Sequence, residues 1–252
     1  NSIFGLSYVS VFFEDNMDIY FLRQLVNERL STVDIPESWG KPTLGPNTTG
    51  LGQVFWYQLY DKTSKYSLKE LREMQEYLVT PLFKSVKGVE DVIGWGGDEK
   101  QYNILVDSKK LQNVNITYND IVIALQKSNQ VAGGQYLEFN KEQYLIRGVG
   151  LYKSIEDIKK TVIKSENSQA ITIEDIGSVE ESSKPRFGAV SINGNESVIG
   201  MILQRSQTNA AEVVSKIKEK VQTVNSVLPQ GVEIRPMYDR TELTLKAVDT
   251  MS

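Results

Sequence analysis

QVFWYQLYDKTSKYSLKELREMQEYLVTPLFKSVKGVEDVIGWG, residues 53–96, reads as strand, helix, strand. QVFWYQLYD (53–61) is the first strand. Leu68, Leu71, Leu78 and Leu82 then fall on one face of a helix around 68–84. Ser67 caps that helix and Glu70 reaches back to it, with Tyr66 placed to staple onto Leu71. Pro81 predicts a kink or an end, because it lacks a backbone N–H. KGVEDV turns the chain into a returning strand, VEDVIGWG (89–96).

The same plan occurs twice more. SVIGMILQR (197–205) is followed by a helix around 210–226, begun by NAAE (209–212), and by GVEIRPMYD (231–239). Val214, Ile217, Val221 and Leu228 share one face. At the N-terminus, YVSVFFE (8–14) leads to a helix around 17–32 with Ile19, Leu22, Val26 and Leu30 aligned, then to GKPTLGP (40–46). Two βαβ units make a split-βαβ, ferredoxin-like sandwich. The units at 53–96 and 197–239 supply both halves of one sandwich. The N-terminal unit has no partner, and a lone βαβ of roughly 45 residues buries too little surface to be stable. Its strand is expected to be frayed or paired with another copy.

Residues 99–186 follow a different plan. KQYNILVD (100–107) is a strand, and TYNDIVIALQKSN (117–129) is a helix with Thr117 and Asp120 as its capping box. GGQYLEF and EQYLIRGVG form a hairpin with its tip near Asn140–Lys141. SIEDIKK (154–160) is a short helix, TVIKS and AITIEDI are strands, and VEESSKPRF (179–187) leads out. The predicted fold class is therefore α+β: a ferredoxin-like split βαβ sandwich with an inserted α+β domain, plus one partnerless βαβ half at the N-terminus.

Composition narrows function. The 252 residues carry a net charge of −4, with 28 basic and 32 acidic side chains, too acidic overall for a nucleic-acid footprint. The absence of cysteine and histidine excludes disulfides, Cys nucleophiles, Ser-His-Asp triads and Cys/His zinc sites. No stretch approaches the roughly 18 apolar residues of a membrane span, and no signal-peptide pattern is present. The chain begins at Asn1 and ends in AVDTMS, inside a predicted helix, which reads as a piece of a longer protein.

Few motifs carry chemistry. EDNMD (14–18) clusters Glu14, Asp15 and Asp18 but lacks the alternating ligands of an EF-hand; it reads as a solvated turn whose acids favour a helix N-terminus. GWGGDEK (94–100) precedes a strand rather than a helix, so its glycines permit a chain crossing and do not cradle phosphate. Trp95 reads as a core residue, with a ligand cleft as the alternative. The five methionines are scattered, with Met74 and Met201 at core positions. No nucleophile–base pair and no distinctive pair of carboxylates stands out, so no catalytic residue, metal ligand or cofactor is assigned. YDRTELTLKAV (238–248) starts a helix with Asp239 as cap and Leu243, Ala247, Val248 and Met251 on its apolar face.

FGLSYVSVFFED, DIYFLRQLVNERL, LGPNTTGLGQVFWYQL, VIGWGGDEKQYNILVDSKKL, SNQVAGGQYLE, EQYLIRGVG and LPQGVEIRPMYDRTEL, in order along the whole chain, resemble the heavy-metal efflux branch of the resistance–nodulation–division (RND) transporters. The short hairpin around Phe139–Glu142 is similar to the metal-ion branch, where multidrug relatives have a longer arm. The resemblance implies the first periplasmic loop of an inner-membrane, proton-driven pump. Residues 1–46 would be the second half of the first porter subdomain. Residues 47–98 and 187–239 would be the second porter subdomain, 99–186 a docking-domain insert, and 240–252 the start of a helix into the second membrane span. It also implies a homotrimer in the full pump, a periplasmic adaptor protein, an outer-membrane channel and a metal ion as cargo. Trp95 falls where multidrug relatives carry an aromatic residue facing the substrate pocket, so the resemblance implies it as a candidate for the substrate path. SSKPRFGAV (182–190) lacks the methionine that copper- and silver-type members can carry there, which leans toward harder ions such as zinc, cobalt or nickel.

Outside that resemblance, three other uses of the fold stay open: a small-molecule-binding regulatory module, an acylphosphatase-type enzyme and an RNA-binding sandwich. The last lacks the aromatic-basic strand signature. With so poor a ligand set, the isolated chain is expected to bind divalent metals weakly or not at all; micromolar Zn²⁺ affinity in calorimetry at neutral pH would refute this.

Overall fold

The computed structural model describes residues 2–3, 6–14, 17–36, 40–48, 52–132, 136–139, 142–145, 148–149, 151–166 and 169–242. In chain order the main elements are α1 (Ile19–Ser31), β1 (Gln53–Asp61), α2 (Leu68–Met74), α3 (Thr80–Lys84), β2 (Val89–Trp95), β3 (Lys100–Val106), α4 (Ser108–Val114) and α5 (Tyr118–Ser128). There follow β4 (Tyr136–Phe139), β5 (Glu142–Leu145), α6 (Ile155–Lys159), β6 (Val162–Glu166), β7 (Gln169–Thr172), α7 (Ile173–Ile176) and β8 (Gly177–Ser183). β9 (Val198–Gln204), α8 (Ala210–Val227) and β10 (Val232–Asp239) complete the series.

The expected sandwich is present. Its sheet runs β10-β1-β9-β2 with every neighbour antiparallel, the strand order of a ferredoxin-like fold. One face is covered by helices. Phe55, Tyr57, Leu59, Val198 and Ile202 from the sheet pack with Leu71, Val79 and Phe83 from the first helical stretch and Val214, Ile217 and Val224 from α8. Ser67 and Glu70 form the predicted capping box, and Asn209 caps α8 by accepting from the N–H groups of Ala211 and Glu212. Met74 packs against this core, and Met201 is buried as expected but on the opposite face of the sheet.

Pro81 does not end the helix, which runs on to Lys84. The chain passes from α2 into α3 through a π-helical turn, Gln75–Val79, in which the Thr80 N–H reaches back to the Gln75 carbonyl. The wider turn absorbs the donor that proline removes. It also turns Gln75 into the core, where its amide donates to the Tyr57 hydroxyl (2.9 Å) and Thr80 Oγ1 (3.1 Å). Burial pushes the Tyr57 hydroxyl above its usual range, more than the Gln75 hydrogen bond lowers it.

The N-terminal unit keeps its helix but not its strands, in line with the fraying expected of a partnerless strand. α1 forms, with Asp18 accepting from the Tyr20 N–H as its cap. The predicted strands at 8–14 and 40–46 do not form; both segments run outside any sheet. A strand needs a neighbour to satisfy its ladder, and among the described residues these segments meet none. Phe12 is consequently 92% exposed.

The insert pairs its own two ends. β3 and β8 run antiparallel from Lys100 opposite Ser183 to Val106 opposite Gly177. Beyond this ribbon lies a second core of Leu111, Ile116, Ile121, Ile158, Ile173, Ile176 and Val179. The Thr117–Asp120 box caps α5 as predicted. α4 was not predicted; Asp107 caps it and Asn115 ends it in the left-handed conformation. The strand expected over AITIEDI stops at Thr172. There Asp175 accepts from the Thr172 N–H and hydroxyl, and the chain becomes α7. The hairpin is present as β4 and β5, with Phe139 opposite Glu142; its predicted tip at 140–141 lies outside the described residues. Asp239 accepts from the Thr241 N–H as a cap, while Leu243, Ala247, Val248 and Met251 also lie outside them. Among the described residues no helix is long and apolar enough to cross a membrane.

Two measurements check this account. A Cβ on Gly200 would stand 2.1 Å from Tyr57 Cζ. Gly200→Ala should therefore cost about 1–3 kcal/mol in denaturant melts, whereas Gly188→Ala, which meets open space, should stay within about 0.5 kcal/mol. The second concerns Asp61, which closes the turn after β1. Partial burial pushes its carboxyl up, but hydrogen bonds from the Thr63 hydroxyl and from the N–H groups of Tyr66, Thr63 and Lys65 outweigh this and hold it down to about 2. Stability from Asp61 is thus present above the ordinary carboxylate value and is lost as pH falls through about 2. Asp61→Asn should flatten the acid limb of a stability–pH curve between about pH 4 and 2.

Candidate functional site

Two surfaces meet where β2 leaves the sandwich. The first is the sheet face turned away from the helices. In β9, Gly200 and Ile202 point to the helices, so Ile199, Met201 and Leu203 point the other way. Met201 lies between Trp56 on β1 and Ile93 on β2, and Ile199 lies between Gln58 and Trp95. Tyr238 of β10 stands opposite Trp56, their rings edge-on with centroids 6.3 Å apart. Trp95 is not a core residue: 51% of it is exposed. It sits at the outer end of an edge strand, on the face that no helix of the sandwich covers. Trp56, Met201 and Tyr238 are its companions on that face; of these the sequence marks only Met201, as a core position. The available signal was SVIGMILQR, apolar at nearly every position, which marks a strand with two apolar faces.

The second surface is the crossing itself. Gly96 and Gly97 have φ of +76° and +70°. A Cβ on Gly96 would lie 2.1 Å from the Ser197 carbonyl oxygen, and one on Gly97 2.7 Å from that of Leu68. Only glycine allows this close passage. β3 follows rather than a helix, so the segment is a crossing, as expected, and not a phosphate loop. Arg72 of α2 holds it: Nη1 donates to the Gly96 carbonyl at 3.0 Å, and Nη2 pairs with Glu76 at 2.9 Å.

Beside the crossing, between α2 and β3, is a cleft of about 450 Å³ lined by Arg72, Glu73, Glu76, Glu99, Lys100 and Tyr102. Its charges are paired. Lys100 Nζ lies 3.0 Å from Glu181 and 3.4 Å from Glu73, and it sits over the Tyr102 ring. The Glu181 hydrogen bond holds the Lys100 ammonium above the usual lysine range. Lys69 and Lys100 in turn hold the Glu181 carboxyl below the usual carboxylate range. Carboxylates committed to ammonium partners make poor general bases and poor metal ligands. Among the described residues, no three Asp or Glu side chains converge as a metal site. Of the EDNMD cluster, Asp18 is the α1 cap and Glu14 is exposed, while Asp15 lies outside the described residues.

The family described as AcrB/AcrD/AcrF matches residues 1–252. The chain is 37% identical over 259 residues to the cobalt-zinc-cadmium resistance protein CzcA of Cupriavidus metallidurans, covering 99% of this chain and 24% of that protein. It is 36% identical over 254 residues to the cation efflux system protein CusA of Escherichia coli K12, covering 100% of this chain and 24% of that protein. Among solved structures, the crystal structure of a heavy metal efflux pump matches with a TM-score of 0.78 at 31% identity, over 94% of this chain and 24% of the other. The chain thus spans about a quarter of the length of these relatives. With the family matched from the first residue to the last, and a sandwich and insert like those of a heavy metal efflux pump, the chain belongs to the AcrB/AcrD/AcrF family, in the heavy-metal efflux branch of the RND transporters.

Proposed function

We propose that this chain is the porter-and-docking part of the first periplasmic loop of a proton-driven, inner-membrane metal-cation efflux pump. The observation that carries the reading is the sandwich whose two halves are separated by a self-paired insert, in a chain similar along its whole length to metal efflux proteins. Residues 47–98 and 187–239 serve as the second porter subdomain, with 99–186 as the docking insert. Residues 1–46 are the second half of the first porter subdomain, and 240–252 begin the helix into the next span. The full pump works as a homotrimer with a periplasmic adaptor and an outer-membrane channel.

The role of this part is movement rather than bond chemistry. Rocking of packed subdomains opens and closes a cleft, a common way to couple distant events. The sheet face turned away from the sandwich helices supplies one wall of that cleft, and Trp95 at its outer end lies on the substrate path. The cargo is a divalent ion such as zinc, cobalt or nickel, a choice supported by the lack of methionine in SSKPRFGAV. The proton relay lies in membrane spans, where ionisable side chains are the expected carriers.

Deleting the gene for the full protein in its source cells tests this. The concentration of zinc, cobalt or nickel that stops growth should fall severalfold and be restored by the intact gene; an unchanged profile for every metal tried would count against the proposal. Restoring the Trp95→Ala gene should recover only part of the resistance.

A further inference from the structure

α2 divides its faces sharply. Leu68 and Leu71 go to the sandwich core, as does Gln75 in the turn that follows. Lys69, Arg72, Glu73 and Glu76 follow the i, i+3, i+4, i+7 spacing of a single stripe, and the first three engage the crossing or the insert. Lys69 pairs with Glu181 of β8 at 2.9 Å. Glu73 pairs with Lys100 of β3 at 3.4 Å. Arg72, braced by Glu76, holds the Gly96 carbonyl. The helix therefore grips both strands of the insert's ribbon and the segment that leads into it.

The two linkers are also complementary to each other. Incoming Asp98 faces outgoing Arg186 at 3.2 Å, and Glu99 pairs with Lys184. Lys100 and Glu181, 3.0 Å apart, join the ribbon strands and share their remaining partners with α2. A single exposed ion pair fixes little. Here Lys69, Glu181, Lys100 and Glu73 are each less than 40% exposed and linked in series, the arrangement in which pairs act together.

We propose that the α2 stripe and the charged linkers form an ionic clasp that fixes the orientation of the insert on the sandwich, so that the two travel as one body. Lys69, Arg72 and Glu73 are its positioning residues. The use of the clasp rests on the transport reading above: a rocking porter subdomain would then carry its docking insert with it. The clasp itself is a property of this chain and is tested on this chain.

The sequence contains no cysteine, so two introduced cysteines are the only thiols available for spin labelling. Gln126→Cys on α5 and Ser215→Cys on α8, both exposed, place one nitroxide on the insert and one on the sandwich. Pulsed electron resonance should give one narrow distance distribution. Lys69→Ala with Glu73→Ala should at least double its width while leaving the circular dichroism spectrum unchanged. On the parent chain, 1 M NaCl should broaden it as well, because screening then acts over about 3 Å. Removing the Glu212–Lys216 pair of α8, which lies on the sandwich alone, should change nothing. A width that stays constant in both the double variant and high salt would overturn the clasp and assign the orientation to the backbone ribbon alone. Because this distance is read without transport, the clasp and the pump reading can fail separately.

Discussion

The end of β2 and the start of β9 must lie side by side. Trp95 stands opposite Ile199 in the central sheet, yet about a hundred residues separate them in the chain. Anything inserted there has to leave and return at one point. The structure meets this constraint by pairing the insert's two ends with each other over the length of β3 and β8. The sandwich can then close as though the insert were absent, and the insert can build its own core beyond the ribbon. The glycines follow from the same requirement: at Gly96 a side chain would collide with the Ser197 carbonyl of the returning chain.

Charge then finishes what backbone pairing begins. A two-stranded ribbon is free to swing about its base, since marginal hairpins gain rigidity only from packing or further partners. α2 lies beside that base because its apolar face is committed to the core, which leaves its polar stripe facing the crossing. The same helix thus joins two cores that share no apolar cluster among the described residues. The paired state of nearly every charge near the cleft explains why the region reads as a joint and not as a catalytic centre.

Much of this was legible locally. Capping boxes at Ser67, Thr117 and Ser154 form from residues three apart and need no distant partner. The strands of the sandwich have enough apolar content to be recognised alone. β8 was harder: GSVEESS has one buried apolar side chain, Val179, and becomes a strand because β3 offers it a ladder. The converse holds at 8–14, where YVSVFFE has every local mark of a strand and forms none, since among the described residues no neighbouring strand pairs with it. Trp95 failed as a core assignment for a related reason. Burial depends on place in the sheet: Trp95 ends an edge strand, whereas Ile199 and Met201 on the same face lie in an inner strand and are buried.

The sequence by itself determined the order of elements, the helix starts, the two halves of one sandwich, the insert between them and the family resemblance, because these rest on short-range patterning and on residue identity. Only the tertiary structure decided which segments became strands at the margins, which face of the sheet the helices took, and that Arg72, Lys69, Glu73, Lys100 and Glu181 meet. Those outcomes depend on pairings between residues far apart in the chain. No periodicity within a segment specifies which distant charge or strand will arrive beside it.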